Sequence, residues 1–591
     1  MRTRLSFNVQ PLPMSLTSLV TGEGINAAVS RKSLNTETTS QLNTANNVIA
    51  TVDGIGNLTE DLEGIGVKEL TGTLLSTGIT RAVIPFPTKT EPTEFLIIKG
   101  GNVYKMGSGG GNETLLASGV FSATAQIGFQ YNLGGVSQER RVYICDGVNN
   151  PRYYNGTSLV EETQFNSPIL GLGFPKPSIM PSENEGVRGR VLYGFPETSE
   201  FRNFVLASKE GDGSDFTVPG IPSNIDAFFQ NIFPSDGGYI TAFGVLKQSN
   251  STSETWYVFK NNNKSYTSST PQLVGGVVVA DFSLSANNIG CSSMFGTFAF
   301  NNEIYALNEY GVGSFTTATS SGNSEAFATQ FSQRVNPLIR KSSQNAAFSK
   351  SFILHCQDRN IIMTFMPELN ANGTYQGYAY GETPMNYSIQ MQYDLTTKDE
   401  QIRNFWSTRY GKGWGFSCGV ACGKRIILGS YFGKVFELFG SNEYERNPAA
   451  SSTAVPIRSK VETGDMYFGG LDILKSFNEL YFQWQGVGGI IADLSVFFNQ
   501  SEIANVQDVY TNIGTNAIVG RWDDSSSLLW DTLGGWAGVS KVDLNLTPSN
   551  EGKYVRLSLE WNSLVGELPN TALLSGMAGY LTLGTNTRNI R

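Results

Sequence analysis

Hydrophobic and polar residues alternate along much of the chain, and the stretch MNYSIQMQYDLTTKDEQIRNFWSTRYGKGWGF (385–416) shows this pattern most clearly. The apolar positions are Tyr387, Ile389, Met391, Tyr393 and Leu395, and the polar ones between them are Ser388, Gln390, Gln392 and Asp394. A period of two is typical of a half-buried β-strand. The polar tract TTKDE then predicts a turn, followed by a returning strand that ends in Phe405-Trp406.

Further hairpins are predicted where two apolar runs flank Gly, Asn or Asp, because these residues tolerate the positive φ of tight turns. They are EFLIIKGGNVYKM (94–106), RRVYICDGVNNPRYYNG (140–156), TWYVFKNNNKSYT (255–267), TFAFNNEIYALNEYGVGSF (297–315) and KRIILGSYFGKVFELF (424–439). The returning strand has the same order of residue types in Asn102–Met106, Glu303–Leu307 and Lys434–Leu438. Repeated sheets around an axis fit this pattern best, so residues 91–440 predict a β-propeller of five to seven blades with inserted loops.

The two ends of the chain differ from residues 91–440 in their pattern of polar and apolar residues. Residues 1–90 are polar and predict an N-terminal arm or a part of a platform, because they lack the apolar content for a core of their own. After a polar linker (441–456), alternating or apolar stretches over 441–591 predict a C-terminal β-sandwich or platform. The fold class is therefore mainly β, and 591 residues are enough for more than one domain.

Composition narrows the classes of function. The 65 glycines and 12% aromatic residues favour many strands joined by tight turns. The net charge of −9 argues against the basic surface of a nucleic-acid clamp. No apolar run approaches roughly 18–20 residues, so no membrane span is predicted, and the polar, proline-interrupted N-terminus is a poor secretory signal.

The residue types that carry most chemistry are scarce. His355 is the single histidine, and its strand-like surroundings predict a structural role with a hydrogen-bond partner. The cysteines are odd in number and scattered, which argues against a disulfide framework; they are Cys145, Cys291, Cys356, Cys418 and Cys422. The CGVAC pair predicts buried thiols more readily than a metal site.

Three further motifs do not complete an active site. SNSTSETW (249–256) has Ser251 and Ser253 where a sialidase Asp-box has Asp and Gly, and GSGGGNE (107–113) lacks the Lys-Ser/Thr of a phosphate-binding loop. Asp523 and Asp524 lie near tryptophans that either form a carbohydrate platform or pack between sheets. We therefore predict no catalytic, cofactor-binding or metal-binding residue and no cofactor, and we expect the protein not to be an enzyme.

Four stretches resemble the tail nozzle or tail-hub proteins of short-tailed bacteriophages, the class called tail tubular protein B or packaged-DNA stabilisation protein. They are GGYITAFGVLKQSNSTSETWYVFKNNNKSYT (237–267), NNIGCSSMFGTFAFNNEIYALNEYGVGSF (287–315), MQYDLTTKDEQIRNFWSTRYGKGWGF (391–416) and GSYFGKVFELF (429–439). The stretch 455–486 looks like the start of the C-terminal sandwich of that family. The resemblance covers roughly residues 240–500.

This resemblance implies a homohexamer at the distal end of the tail, docked on an adaptor ring. N- and C-terminal parts would form the platform, and the propellers would contact fibres or spikes. Viral DNA would be retained by the conduit and pass on ejection without sequence-specific binding, in a virion assembled in the host cytoplasm. Six copies would carry 6 × −9 = −54 charges, so an acidic lumen that repels DNA is a hypothesis. The residues of the DNA gate and of the interfaces are not predicted.

Two other classes of function stay open. A propeller glycosidase or virion depolymerase would need two or three carboxylates that converge at a propeller mouth. A monomeric carbohydrate-binding protein would need exposed aromatic side chains and no ring.

Overall fold

The computed structural model describes residues 12–15, 24–25, 41–52, 58–64, 66–135, 137–162, 176–181, 189–217, 219, 221–247, 254–268, 271–275, 277–287, 289–300, 303–314, 331–368, 385–393, 404–409, 414–438, 445–446, 454–455, 458–467, 474–485, 490–504, 506–513, 539–542, 551–563 and 573–584. The chain divides into two compact units. Glu69–Ser388 and Lys412–Leu438 form the propeller unit, and Met1–Lys68, Ile389–Gly411 and Phe439–Arg591 form the terminal unit.

The propeller unit contains six separate antiparallel sheets, which give it a six-blade β-propeller arrangement. Blade 1 contains the strands Thr80–Phe86, Glu94–Lys99, Asn102–Gly107 and Thr114–Ala117. Blade 2 contains Gly128–Gly134, Glu139–Cys145, Arg152–Tyr154 and Leu159–Glu161. Blade 3 contains Leu192–Gly194, Phe204–Ala207 and Phe228–Asn231. Blade 4 contains Ile240–Lys247, Glu254–Lys260, Lys264–Ser268 and Phe282–Asn287. Blade 5 contains Thr297–Phe300, Glu303–Asn308 and Gly311–Ser314. Blade 6 contains Phe416–Cys422, Arg425–Ser430 and Val435–Leu438.

Several shorter elements connect or extend these blades. Two hairpins add to them, Gln272–Val274 with Val277–Val279 and Phe352–Cys356 with Ile361–Glu368. The helix Asn336–Ser343 precedes the second hairpin, and the 3-10 helices are Pro234–Asp236, Ala346–Lys350 and Gln357–Arg359. The strands Val67–Glu69 and Met385–Tyr393 lie at the boundaries between the units.

The predicted Gly-Gly-Asn turn of blade 1 is confirmed. Lys99 pairs with Asn102 across the two strands, so only Gly100 and Gly101 form the loop. Their φ angles are 56° and 80°. Positive φ at both loop residues is the geometry that matches the right-handed twist of a two-residue hairpin.

A buried polar residue recurs where the second strand of a blade meets its turn. The residues at this position are Lys99, Asp146, Lys260, Asn308 and Ser430, all at most 3% exposed. The shorter side chains accept hydrogen bonds from the main chain of the turn: Ser430 from Phe432 N and Lys434 N, for example. Such bonds hold a turn in its conformation, which explains a polar residue at the end of an otherwise apolar strand.

Adjacent blades share apolar cores. One buried cluster joins blades 1, 2 and 6 and includes Ile97, Phe129 and Ile427. A second joins blades 3 and 4 around Trp256, which stacks on Phe228 with 6.1 Å between ring centroids. The cores therefore lie between sheets, where each sheet covers the apolar face of the next.

The first and last segments of the propeller unit are bonded to each other. Leu70 N donates to Val435 O at 2.8 Å, and Val435 N donates to Thr71 Oγ1 at 2.8 Å. Lys434 Nζ lies 3.0 Å from Glu69 Oε1. Blade 6 is thus tied to the segment that leads into blade 1.

The terminal unit combines strands from both ends of the chain. Its strands are Leu12–Ser15, Gly24–Ile25, Gln41–Asn46, Val48–Val52, Leu58–Gly64, Asn404–Arg409, Glu445–Arg446, Ala454–Val455, Arg458–Thr463, Leu474–Gln485, Ile490–Phe498, Val506–Ile513, Val539–Val542, Glu551–Gly552, Val555–Ser563 and Leu573–Gly584. Leu12 pairs with Leu581, and Leu42 pairs with Thr463. The N-terminal segment is therefore built into sheets formed with C-terminal strands.

The compact units divide the chain differently from the predicted ranges 1–90, 91–440 and 441–591. The first strand of blade 1 begins at Thr80, inside the range predicted as an arm. Residues 389–411, predicted as part of the propeller, belong to the terminal unit. These assignments depend on pairing over long sequence separations, which local patterns do not encode.

The stretch 385–416 forms its two predicted strands, but the prediction of a half-buried strand is wrong. In Met385–Tyr393 the polar Ser388, Gln390 and Gln392 are as buried as the apolar residues between them. Gln390 Oε1 accepts a bond from Arg409 Nε at 3.0 Å, which makes burial of its amide oxygen tolerable. The second strand continues to Arg409 instead of ending at Trp406. The predicted turn, TTKDE (396–400), lies outside the described residues.

The three similar pentapeptides do not occupy one equivalent position. Asn102–Gly107 and Val435–Leu438 are each the third strand of a blade, whereas Glu303–Asn308 is the second strand of blade 5. The same order of residue types fits both positions because the β-branched, aromatic and long apolar residues of the pattern are buried in all three strands.

Candidate functional site

A cavity of about 280 Å³ lies against the first strands of several blades. We call it the first-strand cavity. Its wall comes from blades 1, 2, 5 and 6 and from the hairpin Phe352–Cys356 with Ile361–Glu368. The residues that line it include Ala82, Val83, Ile127, Phe129, Phe295, Phe298, Phe352, Leu354 and Val420. Most of the residues that line it are apolar, while polar atoms contribute about half of the wall surface.

The charged groups in the wall are all cations. Arg81 comes from the first strand of blade 1, Lys89 follows that strand, and Lys350 lies two residues before the strand Phe352–Cys356. Among the described residues that line the cavity there is no aspartate or glutamate. The local charge is thus opposite in sign to the net charge of −9 of the chain.

His355 contributes a neutral imidazole to the wall. Its ring lies edge-on to Phe298 and Phe300, with 5.8 and 5.6 Å between centroids. Nδ1 is 3.0 Å from Ala299 O, and because a carbonyl only accepts, Nδ1 carries the proton. Burial lowers the pKa of His355 to about 4, against a smaller opposite effect of this hydrogen bond. The residue fits the structural role predicted from the sequence.

The thiol and hydroxyl groups of blade 6 are held in unreactive states. Cys418 Sγ is 3.6 Å from Thr80 O, and burial raises the pKa of its thiol to about 12. Ser417 Oγ donates to the carbonyl oxygens of Thr80 and Gly429. A nucleophile needs a thiolate or an adjacent base, and these contacts supply neither.

Some of the other residues singled out from the sequence lie in the described part of the chain. All five cysteines are free thiols, four of them buried and Cys418 half-buried. The glycine run begins at the end of the strand Asn102–Gly107 and turns at Ser108-Gly109, and Glu113 beyond it is paired with Lys99 in the core. Asp523, Asp524 and residues 249–253 lie outside the described residues.

No pattern in the sequence pointed to Arg81, Lys89 or Lys350. They are separate basic residues without a shared motif, and they line one cavity only because the blades close around it. Within the described ranges no cluster of His, Cys, Asp and Glu fits a metal ion. Of the helices described, none has the length and apolarity needed to cross a bilayer.

No protein-family model and no curated protein matches the chain. The solved structures that are similar to it include two propeller domains. The Dos1 propeller is 9% identical with a TM-score of 0.34, and the match covers 63% of this chain and 94% of that chain. The WD40 domain of SCAP from fission yeast is 7% identical with a TM-score of 0.26, covering 61% of this chain and 84% of that chain.

Proposed function

We propose that this chain is a structural, non-enzymatic subunit of the tail nozzle of a short-tailed bacteriophage. Six copies would form a conduit in the virion that retains packaged DNA and lets it pass on ejection. The observation that carries the proposal is the composition of the terminal unit. It unites the N- and C-terminal parts of the chain, and the propeller unit is inserted between them.

This arrangement supports a platform rather than a flexible arm. Leu12–Ser15 pairs antiparallel with Leu573–Gly584, and Gln41–Asn46 pairs with Arg458–Thr463. Asn47 Nδ2 also donates to Arg458 O at 2.8 Å. Backbone pairing between segments so far apart in sequence constrains both ends, because neither has a complete sheet without the other.

In the proposed assembly the terminal unit docks on the adaptor ring, and the propeller unit contacts fibres or spikes. DNA would pass the lumen without sequence-specific contacts. An acidic lumen remains a hypothesis, because the positions of the carboxylates in a hexamer depend on the interfaces. A lumen lined by lysines and arginines would contradict it.

Imaging of assembled particles tests the proposal. We would attach a tag to the C-terminus of the chain and label it with gold in purified virions. Six labels around the distal end of the tail are expected. A single copy per virion, or a label on the capsid, would contradict the proposal. A mass of 6 × 64.3 = 385.8 kDa by light scattering would support the ring. A monomer mass in solution would not contradict it, because some assembly proteins form rings only on their docking partner.

A parallel assay separates this function from the glycosidase and depolymerase alternative. Purified chain would be incubated with host-surface polysaccharide, and new reducing ends would be measured. We expect no release above a heat-treated sample of the same chain. Sustained release that a carboxylate substitution abolishes would establish an enzyme and remove the non-enzymatic part of the proposal.

A further inference from the structure

We propose that the first-strand cavity binds a small organic anion with an aromatic or other apolar body. The inference is independent of the nozzle function. It rests on three features of the cavity. Arg81 and Lys350 have no ion-pair partner among the described residues, and no described lining residue is a carboxylate; these two cations lie at one end; and aromatic side chains border the interior.

The first feature is the state of the cations. Arg81 donates Nε to Ala123 O at 3.2 Å, and neither Arg81 nor Lys350 forms an ion pair with any described residue. Arg81 is half-buried and Lys350 is exposed. A half-buried cation beside apolar side chains attracts an anion more strongly than the same group does on an open surface.

The second feature is the position of these two cations along the strands. Arg81 is the second residue of the strand Thr80–Phe86, and Lys350 lies two residues before the strand Phe352–Cys356. Both strands begin beside the start of the strand Phe416–Cys422: Ser417 Oγ donates to Thr80 O, and a Cβ at Gly419 would lie 3.2 Å from Phe352 Cε2. Arg81 and Lys350 therefore belong to the same end of the cavity, where one anionic group can meet both.

The third feature is the shape and chemistry of the interior. A volume of about 280 Å³ is close to the lower end of small-molecule sites, roughly 300 Å³, which is room for one aromatic ring with a short substituent. Phe129, Phe298 and Phe352 supply ring faces and edges. Neutral His355 adds no competing positive charge at this depth. A monocyclic aromatic carboxylate matches the cavity in size, polarity and charge.

The test uses benzoate as the probe, with benzamide as its neutral counterpart and benzylamine as its cationic one. Binding to the full chain would be followed by saturation-transfer NMR and by calorimetry. We expect saturable binding of benzoate, and binding of benzamide and benzylamine at least about tenfold weaker, the factor equivalent to 1.4 kcal/mol. No saturable binding of benzoate, or equal binding of benzamide, overturns the proposal.

Variants locate the site. Arg81→Gln combined with Lys350→Gln is expected to weaken benzoate binding about tenfold or more, while Arg81→Lys retains most of it. Lys341→Gln is the matched control, because Lys341 is an exposed lysine of the preceding helix and does not line the cavity. Unchanged Tm values show that the variants are folded. Unchanged benzoate affinity in the folded double variant overturns the proposal.

Discussion

Lys99 and Glu113 form an ion pair in which both side chains are completely buried, with 2.6 Å between Nζ and Oε2. Lys99 Nζ also donates to Gly433 O of blade 6 at 3.0 Å. Lys260 has an equivalent position in blade 4, where Nζ donates to Ile232 O at 2.6 Å and contacts Asp236 Oδ1 at 3.0 Å. A lysine at the end of the second strand thus bonds to the preceding sheet at two places in the ring.

Removal of the Lys99 ammonium is expected to destabilise the propeller unit. Lys99→Met leaves the Glu113 carboxylate buried without its cation, and breaking one side of a buried pair costs about 3–5 kcal/mol. Calorimetric unfolding measures the effect as a lower Tm. Lys105→Met is the matched control, because the pair of Lys105 with Glu94 is partly exposed and contributes about 0–1 kcal/mol. Equal effects of the two substitutions would contradict a special role for the buried pair.

Gly433→Ala is expected to disturb the junction of blades 6 and 1. Gly433 has φ of 82°, and an added Cβ would lie 2.6 Å from Ser76 O and 2.8 Å from Gly78 O. Gly237 has nearly the same φ, 79°, with open space around it. Gly237→Ala therefore measures only the free-energy cost of an alanine in the left-handed backbone conformation, about 1–2 kcal/mol.

The two alanine variants are compared by denaturant unfolding. The excess loss of stability in Gly433→Ala over Gly237→Ala measures the clash with the two carbonyl oxygens. We expect an excess of about 1–3 kcal/mol, the usual cost of forcing atoms into a filled space. No excess would show that the segment 76–78 moves away freely.

His355 predicts a pH dependence of stability with a defined sign. Its pKa is about 4 in the folded chain and 6.5 when unperturbed, so the unfolded state binds more protons between these values. The contribution of His355 to the free energy of unfolding is therefore complete above pH 6.5 and is lost as the pH falls towards 4. The loss between pH 7.5 and pH 5 is about 2 kcal/mol. His355→Gln is expected to flatten this part of the profile.

Because His355 is the single histidine, its titration can be read directly. With ¹³C-labelled histidine, the native chain is expected to show one ring resonance that does not shift between pH 7.5 and pH 5. In urea the same resonance should titrate near pH 6.5. A native midpoint near 6.5 would contradict the buried, neutral state.

The cysteines are expected to resist modification in the folded chain. Burial raises the pKa of Cys418 and of Cys422 to about 12, so almost no thiolate exists at pH 8. A thiol reagent at pH 8 should react with five groups after unfolding and with none rapidly before it. The reaction rate of the folded Cys418→Ser variant is compared with that of the folded unsubstituted chain. Fast reaction that persists in the variant comes from another cysteine.

Local sequence was sufficient for the strands and their turns. The Gly100-Gly101 loop follows from residue types that accept positive φ, and the apolar run before it follows from burial of both strand faces. The alternation in 385–393 was less informative. It marked a strand correctly, but burial of Gln390 depends on Arg409, a residue that a different strand supplies.

Local patterns already specify a mainly β protein with repeated hairpins and a single histidine in an apolar strand, because period-two alternation and turn residues are local properties. The pairing of Leu12 with Leu581, the bond of Lys99 to Gly433 and the convergence of separate basic residues on one cavity are visible only in the folded chain. Those relationships join residues hundreds of positions apart. They arise when sheets cover one another's apolar faces, a non-local gain in free energy that no short window of sequence contains.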